Sequence, residues 1–193
     1  MALPRSPFRL SLVAASLSLL AGATTALVLP TPTHAATATA PCADSGIAAS
    51  QASAPVVARA IRCLVNGQRA ANGLSPLRTS RPLRVAAEAH GADMVAHRFF
   101  AHVSPLTGAI TSRARRAGYI TPSDDYALGE DIAWGEGELS TPEAIVTAWM
   151  NSPEHRAVIL DRDFRDVGVG VVSGVPVPSE LPGATFVLDV GAK

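Results

Sequence analysis

Two histidines and a glutamate stand in three separate segments whose side chains could do chemistry together. His102 lies in FFAHVSP (residues 99–105), Glu130 in GEDIAWG (residues 129–135) and His155 in WMNSPEHR (residues 149–156). Two imidazoles and a carboxylate are the groups that a divalent metal site or an acid–base pair needs. No short motif joins them, so only a fold that brings the three segments together can make one site.

The other candidates near these segments have competing structural roles. His90 and His97 share a helical stripe with Leu83 and Met94. A histidine on such a face is more often packed and hydrogen-bonded than a ligand, so we leave both out of the site. For Glu130, the structural alternative is a carboxylate that satisfies backbone N–H groups of a neighbouring loop.

The three segments, in this order and at these intervals, resemble the CAP superfamily in its compact bacterial form. That superfamily comprises cysteine-rich secretory proteins, antigen 5 and plant pathogenesis-related proteins. The resemblance extends from about Arg59 to about Gly191. It implies that the protein is extracellular and that its fold is a three-layer α-β-α sandwich. It also implies a cavity lined by two histidines and two acidic residues, of which His102, Glu130 and His155 match three.

Two positions depart from the family pattern. The place of the second acidic residue falls at Ser152, near Asn151, and the asparagine that follows the family's glutamate is replaced by Asp131. In an extended segment Asp131 points away from Glu130 and cannot take over the missing role. We expect the three matched residues to bind a divalent metal. Two imidazoles and one carboxylate suit zinc better than calcium, which prefers oxygen-only shells.

Two functions fit these expectations, and we favour the first. It is a secreted binding module for a divalent metal and for a small apolar ligand or a cell-envelope component, because some CAP proteins carry grooves for sterols or fatty acids. The second is a metal-dependent extracellular hydrolase or protease, in which a metal-bound water is activated at His102 and His155 with Glu130 as base. A vestigial cavity is the third alternative, and enzymatic activity stays open.

The residues that could act as a nucleophile or line an apolar groove each have a structural explanation as well. Ser104 and Ser152 are explained as turn and cap residues, so no nucleophile is recognisable. Candidates for an apolar groove wall, for which core packing is the competing role, are Ile145, Val146, Trp149 and Val158.

The apolar pattern predicts helices around a small antiparallel sheet, which is the α+β class. Helices are expected over Val56–Asn72, from the Ser80 cap through His97, over Ile110–Ala117, from a capping box at Ser140–Glu143 through Trp149, and over Ser152–Leu160. Strands are expected over Phe99–Val103, in a run ending at Trp134, and over Val167–Val172 and Thr185–Val190, the last two as a hairpin. On the second helix, Glu88 and Asp93 are placed on the solvated side.

Residues 1–35 are predicted to form a secretory signal peptide that includes His34. Arg5 and Arg9 precede an uncharged, largely apolar run, and small residues place the cleavage after Ala35, with Ala40 as the second choice. The alternative is an uncleaved membrane anchor, because an apolar run of this length could span a bilayer. Cleavage is favoured because Ser, Thr and Gly dilute the run and no basic cluster follows it.

The charge and the cysteine content of the chain restrict the classes of partner and the cellular compartment that we expect for it. The chain has 16 basic and 16 acidic residues, so no basic excess points to nucleic acid or to an anionic membrane surface. An Ala/Ser/Pro-rich arm (36–55) precedes a single CAP-like domain (56–193), expected to be monomeric and without a membrane anchor after cleavage.

Cys42 and Cys63 are the only cysteines, which in an exported chain favours one structural disulfide. Closing that loop would contribute about 3 kcal/mol.

We predict that the mature protein begins near Ala36 and is found outside the cytoplasm. N-terminal sequencing of the protein from the culture medium and from the membrane fraction measures this. Recovery of intact residues 10–29 from the membrane fraction would show an anchor instead.

Overall fold

A computed structural model describes residues 42–193. The helices there are α1 (Ala54–Ala71), α2 (Arg81–His97), α3 (Ile110–Arg116), α4 (Pro142–Asn151) and α5 (Pro153–Ile159). The strands are β1 (Arg78–Thr79), β2 (Ala127–Glu136), β3 (Asp166–Ser173) and β4 (Gly183–Ala192), and short 3-10 turns cover Ala49–Gln51 and Gly137–Ser140. The predicted signal peptide, both cleavage sites and residues 36–41 of the arm lie outside the described residues.

The strands form one sheet with the order β1-β3-β4-β2. β4 pairs antiparallel with β2 on one side and with β3 on the other, whereas β1 adds two residues parallel to β3. Helices α1, α4 and α5 pack on one face through residues such as Ile61 and Trp149, and α2 and α3 cover the other through Leu83, Met94 and Ala114. The α+β class and the three-layer α-β-α sandwich are confirmed. The sheet was predicted to be antiparallel, but it is mixed because β1, a strand that was not predicted, pairs parallel with β3.

Strand β3 sends alternate residues to the two faces of the sheet. Val167, Val169 and Val171 pack into the core beneath α1, while Gly168 and Gly170 face α2. A Cβ at Gly168 would lie 2.0 Å from the backbone nitrogen of Arg84, and one at Gly170 would lie 2.5 Å from the carbonyl carbon of Ala87. Helix α2 therefore lies directly on the backbone of β3, which is possible only where no side chain separates them.

Helix starts lie within two residues of the predicted ones. The cap of α2 at Ser80 is confirmed, because its side chain accepts a hydrogen bond from the third residue of the helix. The capping box predicted at Ser140 is wrong by one residue, since Thr141 Oγ1 accepts from the backbone N–H of Ala144 at 3.2 Å. Buried Ser140 instead accepts from the backbone N–H of Ala49 and so links two distant 3-10 turns.

The strand predicted at Phe99–Val103 is wrong. After α2 ends at His97 and is capped by Arg98, which has a left-handed backbone with φ of 55°, the chain forms an irregular loop closed by a bridge between Ser104 and Gly108. The two phenylalanines gave this segment a β-compatible composition, but no strand among the described residues 42–193 pairs with it. A strand needs a partner as well as a suitable composition.

The predicted disulfide between Cys42 and Cys63 is confirmed and ties the start of the described chain to α1. The hairpin predicted at the end of the chain is confirmed as β3 and β4. Within residues 42–193, no helix combines the length and the apolar character that crossing a membrane requires.

We predict that Gly168→Ala lowers the free energy of unfolding by about 1–3 kcal/mol, because the added methyl group pushes α2 off the sheet. The matched control is Gly67→Ala inside α1, where a Cβ meets nothing within 4 Å. That change should raise stability by about 0.5–1 kcal/mol. Urea denaturation followed by circular dichroism measures both, and equal effects would contradict the close contact.

Candidate functional site

The three residues predicted for the site line one cavity. Glu130 lies on the edge strand β2, His102 in the loop after α2, and His155 in the first turn of α5. The cavity has a volume of about 410 Å³, and its other lining residues are Asp131, Glu154 and Val158. Consecutive residues of a strand point to opposite faces, so a cavity lined by both Glu130 and Asp131 lies at the free edge of β2.

The carboxylate of Glu130 is bonded at both oxygens. Its side chain is 4% exposed, Oε1 lies 2.9 Å from Nδ1 of His102, and Oε2 accepts from the guanidinium of Arg113. Burial favours a higher pKa for Glu130, but the hydrogen bond from His102 and the charge of Arg113 outweigh it and hold that pKa below its ordinary value. Glu130 is therefore an ionised acceptor, and Nδ1 of His102 carries the hydrogen.

Buried Arg113 joins the loop of His102 to strand β2. Besides Glu130, its guanidinium donates to the backbone oxygen of His102 at 3.2 Å and to that of Gly108 at 2.5 Å. The side chain is 2% exposed, so these acceptors replace water around a buried charge. Sequence reasoning missed Arg113 because it is one of three arginines in a short helix with no motif around it.

Asp93 is buried, so its predicted place on the solvated side of α2 is wrong. Its carboxylate accepts hydrogen bonds from the hydroxyls of Ser104 and Thr107 and contacts Nδ1 of His97 at 2.8 Å. Burial acts to raise the pKa of Asp93, but these two hydroxyls and His97 lower it overall. Ser104 Oγ also accepts from two backbone N–H groups, which fits the predicted turn role and fixes the loop of His102.

His155 is oriented through a serine by a neighbouring carboxylate. Ser152 Oγ donates to Oε2 of Glu154 at 3.1 Å and lies 2.7 Å from Nδ1 of His155, so it accepts the hydrogen on that nitrogen. Burial first, and then the nearby His102, lower the pKa of His155 and favour its neutral form. Glu154 thus brings an acidic group to the cavity one residue before His155, a position that the family pattern did not indicate.

Both site histidines consequently use Nδ1 as a donor within the protein. Within residues 42–193, Nε2 of neither His102 nor His155 takes part in a hydrogen bond. A neutral imidazole with a hydrogen on Nδ1 has its lone pair on Nε2, which is the form that binds a metal. The arrangement can therefore offer two imidazole nitrogens to a cation.

The two histidines left out of the site have different surroundings. His90 is fully buried, its Nε2 lies 3.0 Å from the backbone oxygen of Ala101, and it is packed and hydrogen-bonded as predicted. It also approaches Oε1 of Glu130 at 3.8 Å, and burial lowers its pKa. His97 departs from the predicted stripe, because 51% of its side chain is exposed.

Two more carboxyl groups are buried next to the site. Asp189 on β4 lies directly opposite Glu130, and burial together with the charge of Glu130 raises its pKa well above the ordinary value. Asp131 is 1% exposed, and burial followed by the charge of Glu130 raises its pKa to about 8. Sequence reasoning missed Asp189. The acidic residue inside the apolar run TFVLDVG was a usable signal, because a buried carboxyl group needs either a partner or a proton.

Two structural observations bear on the expected metal ion and the expected apolar ligand. No three His, Cys, Asp or Glu side chains among residues 42–193 form a group that could hold a metal ion. The groove wall suggested for an apolar ligand is largely core: Ile145, Val146 and Trp149 are at most 3% exposed, and Val158 alone of the four lines the cavity.

A three-layer α-β-α sandwich with two histidines and a glutamate at the sheet edge defines a class of domain, the CAP or SCP-like domain. The sequence model of the cysteine-rich secretory protein family, CAP, matches residues 63–178. This chain belongs to the CAP family.

Two curated relatives come from Bacillus subtilis strain 168. The uncharacterized protein YkwD is 38% identical over 109 residues, which cover 56% of this chain and 40% of YkwD. The uncharacterized membrane protein YlbC is 34% identical over 108 residues, which cover 56% of this chain and 29% of YlbC. The alignments thus span less than half the length of these relatives.

Solved structures share the fold. An extracellular protein containing a SCP domain from Bacillus anthracis str. Ames has a TM-score of 0.54 and 26% identity, over 69% of this chain and 40% of that chain. An outer surface protein from Borrelia burgdorferi has a TM-score of 0.56 and 17% identity, over 69% of this chain and 90% of that chain. The second likeness shows the fold alone.

We predict that Asp131→Asn stabilises the protein at pH 8 and changes little near pH 4. With a folded pKa of about 8 against an ordinary value of 3.8, the folded state keeps a proton that the unfolded state has lost in between. The free energy of unfolding therefore falls as pH rises through this window, and asparagine removes that loss. Urea titrations at pH 4, 6 and 8 measure it, with exposed Asp125→Asn as control. A difference independent of pH would contradict the prediction.

Proposed function

We propose that this protein is an extracellular binding module whose cavity binds a divalent metal ion, zinc being the best fit, through Nε2 of His102 and of His155. One observation carries the proposal: each imidazole is held by a hydrogen bond at Nδ1 and keeps Nε2 for a ligand in the cavity that both line. Imidazole nitrogen is a preferred zinc ligand. Bound zinc would supply a Lewis acid with open positions for an oxygen-bearing partner.

We assign Glu130 an orienting role in this site. Both of its oxygens are already bonded, Oε1 to His102 and Oε2 to Arg113, which leaves it poorly placed to be a third ligand. A carboxylate that accepts from the second nitrogen of a metal-binding histidine fixes its tautomer and raises its basicity. On the other side of the cavity, Glu154 does the same for His155 through Ser152.

The extracellular location rests on three supports. The leader-like segment at residues 1–35 predicts export, and the disulfide between Cys42 and Cys63 suits an oxidising compartment. The similar protein from Bacillus anthracis is an extracellular protein. We propose that the mature protein acts there as a monomer.

The partner of the cavity is proposed to be a small apolar ligand or a cell-envelope component. The loop that carries His102 exposes Phe100 by 44%, Val103 by 61% and Leu106 by 63%. Several exposed apolar side chains on one loop beside a cavity are typical of a binding surface.

The geometry supports binding over hydrolysis. A general base needs a free carboxylate with a pKa near the working pH, whereas Glu130 is bonded at both oxygens and its pKa is lowered. Ser104 donates to Asp93, and no imidazole of residues 42–193 forms a hydrogen bond with its hydroxyl to activate it as a nucleophile.

We predict that the purified mature protein takes up one zinc ion, measured by calorimetric titration. His102→Ala or His155→Ala should weaken uptake more than about a hundredfold, and Glu130→Gln by about ten- to a hundredfold. His97→Ala, on a half-exposed histidine outside the cavity, is the matched control and should leave uptake unchanged. Zinc uptake that survives loss of both site histidines would contradict the proposal. Casein hydrolysis lost in His102→Ala would favour the hydrolase.

A further inference from the structure

The edge of β3 that faces β1 is mostly unpaired. β1 contributes only Arg78 and Thr79, which pair with Asp166 and Val167, so no strand of residues 42–193 pairs with this edge of β3 from 168 to 173. The backbone N–H of Ser80 donates to the oxygen of Val167 across this edge. Because backbone groups alternate in direction along a strand, Val169 and Val171 turn theirs toward the same edge.

A groove runs along this unpaired edge. Two adjoining cavities, each of about 300 Å³, share Pro55 and Ala58 from α1, Arg84 from α2 and Val169 from the floor. The second cavity extends along β3 as far as Val171. Helices α1 and α2 are therefore the walls, and the edge of β3 is the floor.

The floor of the groove offers backbone hydrogen-bonding groups. Within residues 42–193, the outward N–H and C=O groups of Val169 and Val171 have no hydrogen-bond partner, although the two residues are only 5% and 8% exposed. Buried backbone groups require partners. An alkyl chain in this groove would leave all four unpaired, whereas the backbone of an extended peptide matches their spacing.

The charge of the groove selects among peptides. Arg59 and Arg62 line the end next to β1, and neither forms a hydrogen bond or an ion pair within residues 42–193. Arg84 on the opposite wall is paired with Glu88 at 2.6 Å. The excess positive charge at that end complements a carboxylate.

We propose that an extended, acidic peptide segment of a partner protein binds in this groove as an added strand on β3, with its carboxylate beside Arg59 and Arg62. The groove is separate from the histidine cavity at β2, on the other edge of the sheet. The proposal therefore stands or falls independently of metal binding.

The test starts with a random heptapeptide library displayed on phage and selected on the mature protein, with counter-selection on Ala58→Trp, whose indole would fill the groove. An enriched peptide is then synthesised with its backbone intact and with alternate amides N-methylated. We expect enriched peptides to carry Asp or Glu, and N-methylation to weaken binding to the unchanged protein at least tenfold. Arg59→Glu should also weaken it at least tenfold, whereas exposed Arg115→Glu on α3 should not.

Hydrogen exchange of the complex identifies the binding edge. The amides of Val169 and Val171 should exchange at least tenfold more slowly with peptide bound, while that of Trp134 on the free edge of β2 should not change. The proposal is overturned if no peptide is enriched over the counter-selection, if the N-methylated peptide binds equally well, or if Val169 and Val171 are not protected. Displacement of the peptide by myristate without loss on N-methylation would indicate an acyl-chain site instead.

Discussion

The bonds of the Arg113 guanidinium to Glu130 and to the loop of His102 organise the functional side of this domain. A charge that is 2% exposed must be surrounded by acceptors, and here they come from strand β2 and from the loop after α2. The same carboxylate then fixes the imidazole of His102. One helix side chain thus sets the position of a strand residue and a loop residue 28 positions apart in sequence.

The surrounding carboxyl groups show how the sheet tolerates several acids close together. Glu130 is ionised because it has a cationic and an imidazole partner, whereas Asp189 opposite it and Asp131 next to it have raised pKa values. A single buried cation can balance only one charge at this depth, so the neighbours keep their protons. The site therefore carries fewer negative charges than the number of its carboxyl groups would indicate.

Local signals in the sequence predicted most of the fold. The cap at Ser80, the helical periodicity and the terminal hairpin depend on neighbouring residues, and all are present. What failed depends on distant partners. No strand in the part of the chain that the structure describes lies beside the FFAHV segment, and Asp93 is buried because Ser104 and Thr107 form hydrogen bonds with it. The two-residue β1 is too short to leave a pattern.

The sequence predicted the candidate site only in part, as it did the fold. The family resemblance selected three residues that line one cavity, but it gave no hint of Arg113, Asp189 or Glu154. Arg113 and Asp189 act through contacts between elements far apart in sequence. Glu154 acts through the hydroxyl of Ser152, which is hydrogen-bonded to His155. A motif records residue types at fixed spacings, whereas hydrogen-bond partners depend on how the elements pack.

The network of Asp93 has a consequence for the exposed side of the same loop. Ser104 and Thr107 are bonded to a buried carboxylate, so the turn between His102 and Gly108 is held at its base. The apolar side chains of Val103 and Leu106 project from this braced turn, although each is more than half exposed. A surface that is already ordered loses little conformational entropy on contact, so this loop can recognise a partner with few contacts.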